Sequence, residues 1–296
     1  MTRRSISLML MTASAAAFAA SPWLDYSRAE ELYRRTDYAG AIEALMAAPP
    51  KNAAADALRG RACFMEGRYK EATASLERAV AEDPLNSGYY DWLGRAYGRL
   101  AEASSFLAAL GNARKTVRAF EKAVILDPSN LEALSDVFEY YLQAPGVAGG
   151  GLDKAEAISR RFASLNQAEY HWSRARIAER RQDFDAAERE YRAALRAEPN
   201  EIGRALDLAA FLSSRGRLDE SDAIFQSAAM THPTPPKVLY ARAAAYIQSK
   251  RKLDEAQALL RKYLELQTTP DDPSRREAAA LLESARQVRS KSREAE

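Results

Sequence analysis

Ala187-Glu188-Arg189-Glu190-Tyr191-Arg192-Ala193-Ala194-Leu195-Arg196-Ala197-Glu198-Pro199 places a small residue, a large one four positions on, a small one three further and a proline five after that. The same 4-3-5 spacing recurs as Ala72, Leu76, Ala79, Pro84, as Thr116, Phe120, Ala123, Pro128, and as Ser221, Phe225, Ala228, Pro233. Four copies of one spacing establish an internal repeat, which has to be read before any single residue. Pro199 and Pro233 are 34 residues apart; Pro84 and Pro128 are 44 apart, ten more; Pro128 and Pro199 are 71 apart, two such periods plus three.

The pattern has a physical reading. Each proline follows an amphipathic helical stretch and stops it, because proline cannot donate to the hydrogen-bond ladder and its ring clashes with the preceding turn. A second helix must precede each stretch, since one amphipathic helix cannot bury its apolar face alone. Where the two cross closely, small residues are needed: Gly60, Gly94, Ala175 and Ala209 on the first helix, and the alanines just named on the second. The large residue between those alanines (Leu76, Phe120, Tyr191, Phe225) fills the groove. Only 13 glycines and 12 prolines occur in 296 residues, and no alternating β-branched run suggests a strand.

Trp92-Leu93-Gly94-x-x-Tyr97 resembles the helix A motif of the tetratricopeptide-repeat family, and Gly67-Arg68-Tyr69 and Gln182-Asp183-Phe184 resemble its A–B turn. The resemblance implies an all-α, right-handed superhelical solenoid of antiparallel helix pairs. Seven units follow from its register, at 22–52, 53–86, 87–130, 131–167, 168–201, 202–235 and 236–269, with an array spanning 20–269. The fourth departs most, with Ser159 and Phe162 at the large and small sites. Residues 270–296 read as a capping helix, with Asp272 as N-cap, Pro273 at the first position and an apolar stripe of Ala278, Leu281, Leu282, Ala285 and Val288.

Two insertions interrupt the array, near 98–113 and 144–151. In the first, Gly111 reads as a helix C′ residue and Asn112 as the next N-cap, which extends helix A by almost three turns, about 15 Å. The second is a glycine-rich A–B turn ending Gly149-Gly150-Gly151. Consecutive A–B turns share one edge of a solenoid, so the insertions should be neighbours. Two readings are open for Phe106, Leu107 and Leu110: a satellite core under the glycine loop, or a projecting apolar edge for a partner. The combination is similar to exported bacterial tetratricopeptide proteins.

At the N-terminus Arg3 and Arg4 precede an apolar stretch from Ile6 to Phe18 that ends in Ala17-Phe18-Ala19. This is the pattern of a secretory signal at 1–19; the alternative is an uncleaved anchor, for which the stretch is short. The formal charge of +2 comes from 43 basic and 41 acidic residues, and the leader holds two arginines and no acid. The remainder is neutral, which disfavours nucleic acid and anionic lipid as partners. The expected location is periplasmic or extracellular. Cys63 is the only cysteine, so no intramolecular disulfide can form.

No residue set suggests catalysis or a cofactor. His171 and His232 lie in different units, and Cys63 and His171 fall where the family's register has core Tyr and Trp positions. Gly149-Gly150-Gly151 with Lys154 lacks the Walker spacing. The groove positions that the resemblance implies are Arg61, Asp91, Arg95, Arg99, Glu139, Trp172, Arg176, Glu179, Arg180 and Tyr240. Arginine and aromatics are the composition of binding hot spots, and two readings stand: a site for an acidic segment of another protein, or a face where Arg pairs with Glu139 and Glu179. The Lys and Asn pair with which some family members clamp a C-terminal carboxylate is absent. The expected function is a non-catalytic protein–protein interaction scaffold of the cell envelope. The alternatives are a nucleic-acid-binding helical repeat and an accessory subunit of an envelope enzyme or secretion complex.

Overall fold

The structure, a computed structural model, describes residues 22–47, 52–231 and 236–294. The leader at 1–19, His232 and Pro233 lie outside them. Helix pairs follow one another along the chain: α1 (Pro22–Arg34) with α2 (Tyr38–Ala47), α3 (Ala53–Met65) with α4 (Tyr69–Glu82), and α5 (Ser87–Glu102) with α6 (Phe106–Leu126). Then come α7 (Leu131–Gln143) with α8 (Leu152–Leu165), α9 (Gln167–Arg180) with α10 (Phe184–Ala197), α11 (Ile202–Ser214) with α12 (Leu218–Thr231), and α13 (Pro236–Gln248) with α14 (Leu253–Glu265). Helix α15 (Arg275–Glu294) caps the last pair. The fold is an all-α repeat solenoid.

The small-against-large rule operates within each pair. A Cβ added at Gly60 would sit 2.5 Å from Leu76 Cγ, and one at Gly94 would sit 2.5 Å from the Phe120 ring. The fourth unit keeps the rule with its sizes exchanged. Phe138, buried on α7, stands where α3 and α5 carry glycine, and the facing helix supplies Ser159 and Phe162. Volume across the pair is what a close-packed interior conserves. Helix starts are fixed by asparagine side chains accepting backbone N–H bonds three residues on: Asn52 from Ala55 (2.8 Å), Asn86 from Tyr89 (3.2 Å), Asn130 from Ala133 (3.1 Å) and Asn166 from Glu169 (2.8 Å).

Six A–B turns place a residue in the left-handed region: Thr36, Gly67, Gly149, Gln182, Gly216 and Lys250. The first enlarged turn departs from this pattern, and from the sequence reading too. It is α6, the second helix of its pair, that is lengthened, to 21 residues, whereas α5 stops at Glu102. The break falls at Ala103–Ser105; Gly111 lies inside α6, where nothing approaches its Cβ position within 4 Å, so an exposed glycine costs only its helix propensity. Asn112 is likewise intrahelical, and its side chain donates to Ser104 Oγ (3.2 Å).

The two insertions are neighbours. Tyr140 Oη lies 2.7 Å from Ala113 O on α6 and 2.6 Å from Ala148 O in the loop, so one proton is shared by two carbonyls. Phe106 and Leu107 take no part in that junction: they are 84% and 83% exposed, and Leu110 is half-buried. The satellite core under the glycine loop is formed instead by Val117, Tyr140 and Ala148.

The cap corrects a second expectation. Ser274 Oγ accepts from Glu277 N (3.2 Å) while Glu277 Oε2 accepts from Ser274 N (3.1 Å), a capping box that makes Ser274 the N-cap. Asp272 instead accepts from Thr269 N (2.8 Å) and Thr269 Oγ1 (2.9 Å) in the preceding loop. This loop and the start of α15 also reach the opposite end of the array. Thr268 Oγ1 is 3.3 Å from Thr36 Oγ1, Arg276 Nη1 donates to Tyr69 Oη (3.1 Å), and Arg99 Nη2 lies 3.4 Å from Glu277. The solenoid therefore closes on itself.

Candidate functional site

The first helices of the pairs line the concave face, and between α5, α6 and α7 that face opens into a hollow of about 440 Å³. Gly94 and Gly98, one turn apart on α5, leave its floor open, and Phe120, Ala113 and Tyr140 complete the floor. The first insertion supplies Ala113 and the second begins at Ala144, so both enlarged turns contribute to the wall. Arg95, Arg99, Glu102, Asp136, Glu139 and Gln143 form the rim.

The rim charges neutralise one another. Arg95 reaches Asp91 at 3.1 Å and Glu132 at 2.6 Å, bonds Asp136 through Nε, and stacks 4.9 Å from the Trp92 ring. Arg176 holds Glu139 with two parallel bonds (2.8 and 3.0 Å) and Glu179 at 3.1 Å, a bidentate geometry that only arginine provides. Arg99 is spread over Tyr69, Glu102 and Glu277. Glu132 and Asp136 for Arg95, and Glu139 for Arg176, sit on the adjacent unit, so these pairs also tie units three, four and five together.

Asp91 is 2% exposed. Burial first, and the facing Asp136 carboxyl second, push its pKa up to about 8 against the pull of Arg95. The folded chain thus holds this proton more tightly than the unfolded chain, where the group titrates near 3.8. Folding takes up a proton between those values, so stability is greatest below the lower one, falls as pH rises toward 8 and then levels. Replacing Asp91 by Asn should flatten that slope and raise the urea midpoint at pH 9. Equal slopes for the two proteins between pH 5 and pH 9 would contradict it.

The other sequence-derived residues divide. Trp172 packs 5.4 Å from Phe138 and lines a second hollow with Arg176 and Glu179. Arg180 is exposed beside that hollow, with no ion pair among the described residues. Arg61 has no carboxylate partner among the described residues and lies between the Tyr33 and Trp92 rings at 4.7 and 5.0 Å. Tyr240 is turned away into the terminal core, 5.7 Å from the Tyr263 ring. Gly98, Asp136, Tyr140 and Gln143 went unnoticed in the sequence; the Gly94, Gly98 spacing was their visible signal.

The chemistry-bearing residues are engaged elsewhere. Cys63 is buried, and burial pushes its thiol up, away from the thiolate a nucleophile needs. His171 Nδ1 is 2.7 Å from Glu190. The N–H groups of Gly149 and Gly150 donate within their own turn, to the Gly146 and Pro145 carbonyls, that of Gly151 donates to Tyr141 O on α7, and Lys154 Nζ donates to Gly149 O (2.9 Å). Those glycines shape a loop: a Cβ at Gly150 would lie 1.8 Å from Ala144 O.

Solved structures share this architecture. A tetratricopeptide repeat protein from Parabacteroides merdae superposes with a TM-score of 0.58 over 90% of this chain and 98% of its own, at 16% identity. A thermophilic TPR protein of Thermus thermophilus gives 0.52 over 65% of this chain and 99% of its own, at 20% identity. No protein-family model matches the sequence, and no curated protein does. At these identities the likeness extends to the fold: the chain has the tetratricopeptide-repeat fold.

Proposed function

We propose that this chain is a non-catalytic interaction scaffold of the bacterial cell envelope, which holds a segment of another polypeptide on its concave face. The observation that carries the reading is the hollow between α5, α6 and α7, whose floor is apolar and whose rim charges are already paired. An acidic segment would have to break Arg95 and Arg176 from their own carboxylates. A neutral stretch carrying one aliphatic or aromatic anchor needs no such exchange, and burying that anchor contributes about 1.5–3 kcal/mol. The repeat fold supports the scaffold role, because pockets and grooves on its inner face are built from rigid helices.

The envelope location rests on Arg3, Arg4, the Ile6 to Phe18 stretch and Ala17-Phe18-Ala19. Among the described residues no helix is long and apolar enough to cross a membrane. Reading the N-terminus of the protein purified from cells tests this part: a start at Ala20 is expected, and an intact Met1 would overturn it.

The binding face is tested by photo-crosslinking. A photoreactive residue in place of Gln143, on the rim, should join the protein to one dominant polypeptide in envelope extract. The same residue in place of Arg189, exposed on the outer helix α10, should not. Equal adducts from both positions would remove the concave face from the account.

A further inference from the structure

The lengthened α6 carries an apolar tip that the array does not use. Helix α6 ends two residues before Pro128, as α4 ends two before Pro84, so its 21 residues exceed the 14 of α4 at the start. At 1.5 Å per residue the surplus carries the tip about 10 Å past the neighbouring turn. Phe106 and Leu107 are the first two residues of the helix, 84% and 83% exposed. Side chains lean toward the N-terminus of a helix, so both project off its end. Val147, 73% exposed, stands on the same edge, beside the Ala148 that Tyr140 ties to α6. Single exposed apolar side chains are ordinary, whereas a group of them on a projection marks an interaction surface.

The chain without its leader is neutral only as a sum, and this edge is not neutral. No acid lies between Glu102 and Glu121, an interval that holds Arg114, Lys115 and Arg118, and residues 144–152 are uncharged. Arg114 and Arg118 are exposed and form no ion pair among the described residues, while Lys115 lies 3.9 Å from Glu77. Lys154 follows the glycine loop, exposed beside Asp153. Lys70, also exposed, lines a hollow of about 500 Å³ beside the tip with Ser104, Ala108 and Asn112. The acids bordering that hollow are spent, Glu102 on Arg99 and Glu71 on Arg68. Arg114 and Arg118 stand eight and twelve residues from Phe106, about 12 and 18 Å down the helix. The outermost surface is therefore apolar and the collar behind it cationic.

We propose that this edge docks on an anionic lipid bilayer, with Phe106 and Leu107 entering the boundary between headgroups and acyl chains and the cationic collar facing the phosphates. Apolar side chains of interfacial segments sit about 5–10 Å below the headgroups, a depth that leaves Arg114 at phosphate level. Exposed cations are drawn to an anionic leaflet within a Debye length of its surface. A second copy of the chain suits the edge less well. A two-fold contact would set Arg114, Arg118 and Lys70 against their own copies. Two or three side chains also fall short of the roughly 800 Å² that each partner of a stable interface buries. A lipid surface demands neither that area nor a matching shape. Docking there holds the protein at a membrane without a spanning helix.

Flotation with lipid vesicles tests the proposal, using a chain that starts at Ala20 and so keeps α1 to α15 entire. The vesicles are phosphatidylcholine alone, or phosphatidylcholine with about 30% phosphatidylglycerol to supply the negative surface. The protein should float with the anionic vesicles and far less with the neutral ones. Raising salt from about 0.1 to 0.5 M should weaken binding about tenfold, because the charges are screened. Phe106→Ser with Leu107→Ser should abolish it. Arg114→Gln with Arg118→Gln should weaken it about twentyfold, near fivefold for each charge. Ile125→Ser, at a position 70% exposed on the other end of the same helix, should change nothing. All the substituted positions are exposed, and circular dichroism confirms that each variant is folded. The proposal is overturned if the parent does not float with anionic vesicles, if neutral vesicles bind it equally, or if Phe106→Ser with Leu107→Ser floats like the parent. A dimer on size exclusion that the same double variant dissolves, with no flotation, would also overturn it and assign the edge to a second copy. The vesicles carry no polypeptide, so this proposal and the reading of the concave face fail separately.

Discussion

Arg95→Ala should cost about 3–5 kcal/mol of stability, the loss expected when one member of a buried ion cluster is removed and the others stay. Arg95 is the common partner of Asp91, Glu132 and Asp136, and Asp91 is almost wholly buried. Without the guanidinium the buried Asp91 carboxyl and the half-buried Asp136 carboxyl face each other across units three and four. Asp91 can relieve part of the repulsion by taking a proton, so the loss should be larger at pH 9 than at pH 6. The double variant Arg95→Ala with Asp91→Asn should recover a good part of it. Urea denaturation at the two pH values measures all three effects; a loss under about 1 kcal/mol would mean that the cluster is a solvated surface pair.

Two glycines one turn apart on α5 should respond in opposite ways to the same substitution. At Gly94 an added Cβ lies 2.5 Å from Phe120, whose ring is buried and packed, so Gly94→Leu must push α5 and α6 apart. Overpacking of a filled interior costs about 1–3 kcal/mol for modest additions, and a whole isobutyl group should unfold the third unit outright. At Gly98 the nearest atom is Thr116 Cγ2 at 3.7 Å, ordinary contact, and the side chain would extend into the hollow. Gly98→Leu should keep the fold, gain up to roughly 1 kcal/mol from helix propensity, and fill the space in which a ligand's anchor would lie. Circular dichroism and thermal melts of the two variants separate the cases, and a melt of Gly94→Leu near that of the parent would contradict the packing argument.

How much of this was legible in the sequence depends on the range of the interaction. Gly60 with Leu76 and Gly94 with Phe120 are contacts inside one unit, and the 4-3-5 spacing displayed them directly. The fourth unit's Ser159 and Phe162 read as a departure because the compensating Phe138 lies on the other helix, at a position where the repeat pattern has a small residue. The first insertion was assigned to the wrong helix for a local reason. Gly111 and Asn112 carry the letters of a helix end, but an exposed glycine inside a helix carries them too. Asp272 was read as an N-cap although Ser274-x-x-Glu277, two residues on, spells the stronger capping box.

The site was less legible. Glu139 and Glu179 were legible as carboxylates for the groove arginines, and Arg176 takes both, Glu139 lying 37 residues back on the preceding unit; Asp136, 41 residues on from Arg95 in the following unit, was not legible as a partner. Pairing across that separation is set by superhelical geometry, which the repeat pattern does not encode. The return of the C-terminal loop is more distant still, with Arg276 reaching Tyr69 across 207 residues. Phe106 and Leu107 could be placed in an insertion from the sequence, whereas their exposure at the start of the lengthened α6 could not.

The claim that the concave hollow is the working surface is tested most directly by affinity capture from envelope extract with two baits, the parent protein and Gly98→Leu, each confirmed folded. The account predicts one dominant polypeptide on the parent and its depletion by about tenfold or more on Gly98→Leu, as loss of one buried anchor implies. The same polypeptide in equal yield on both baits would contradict it and move the binding surface away from the α5–α7 hollow.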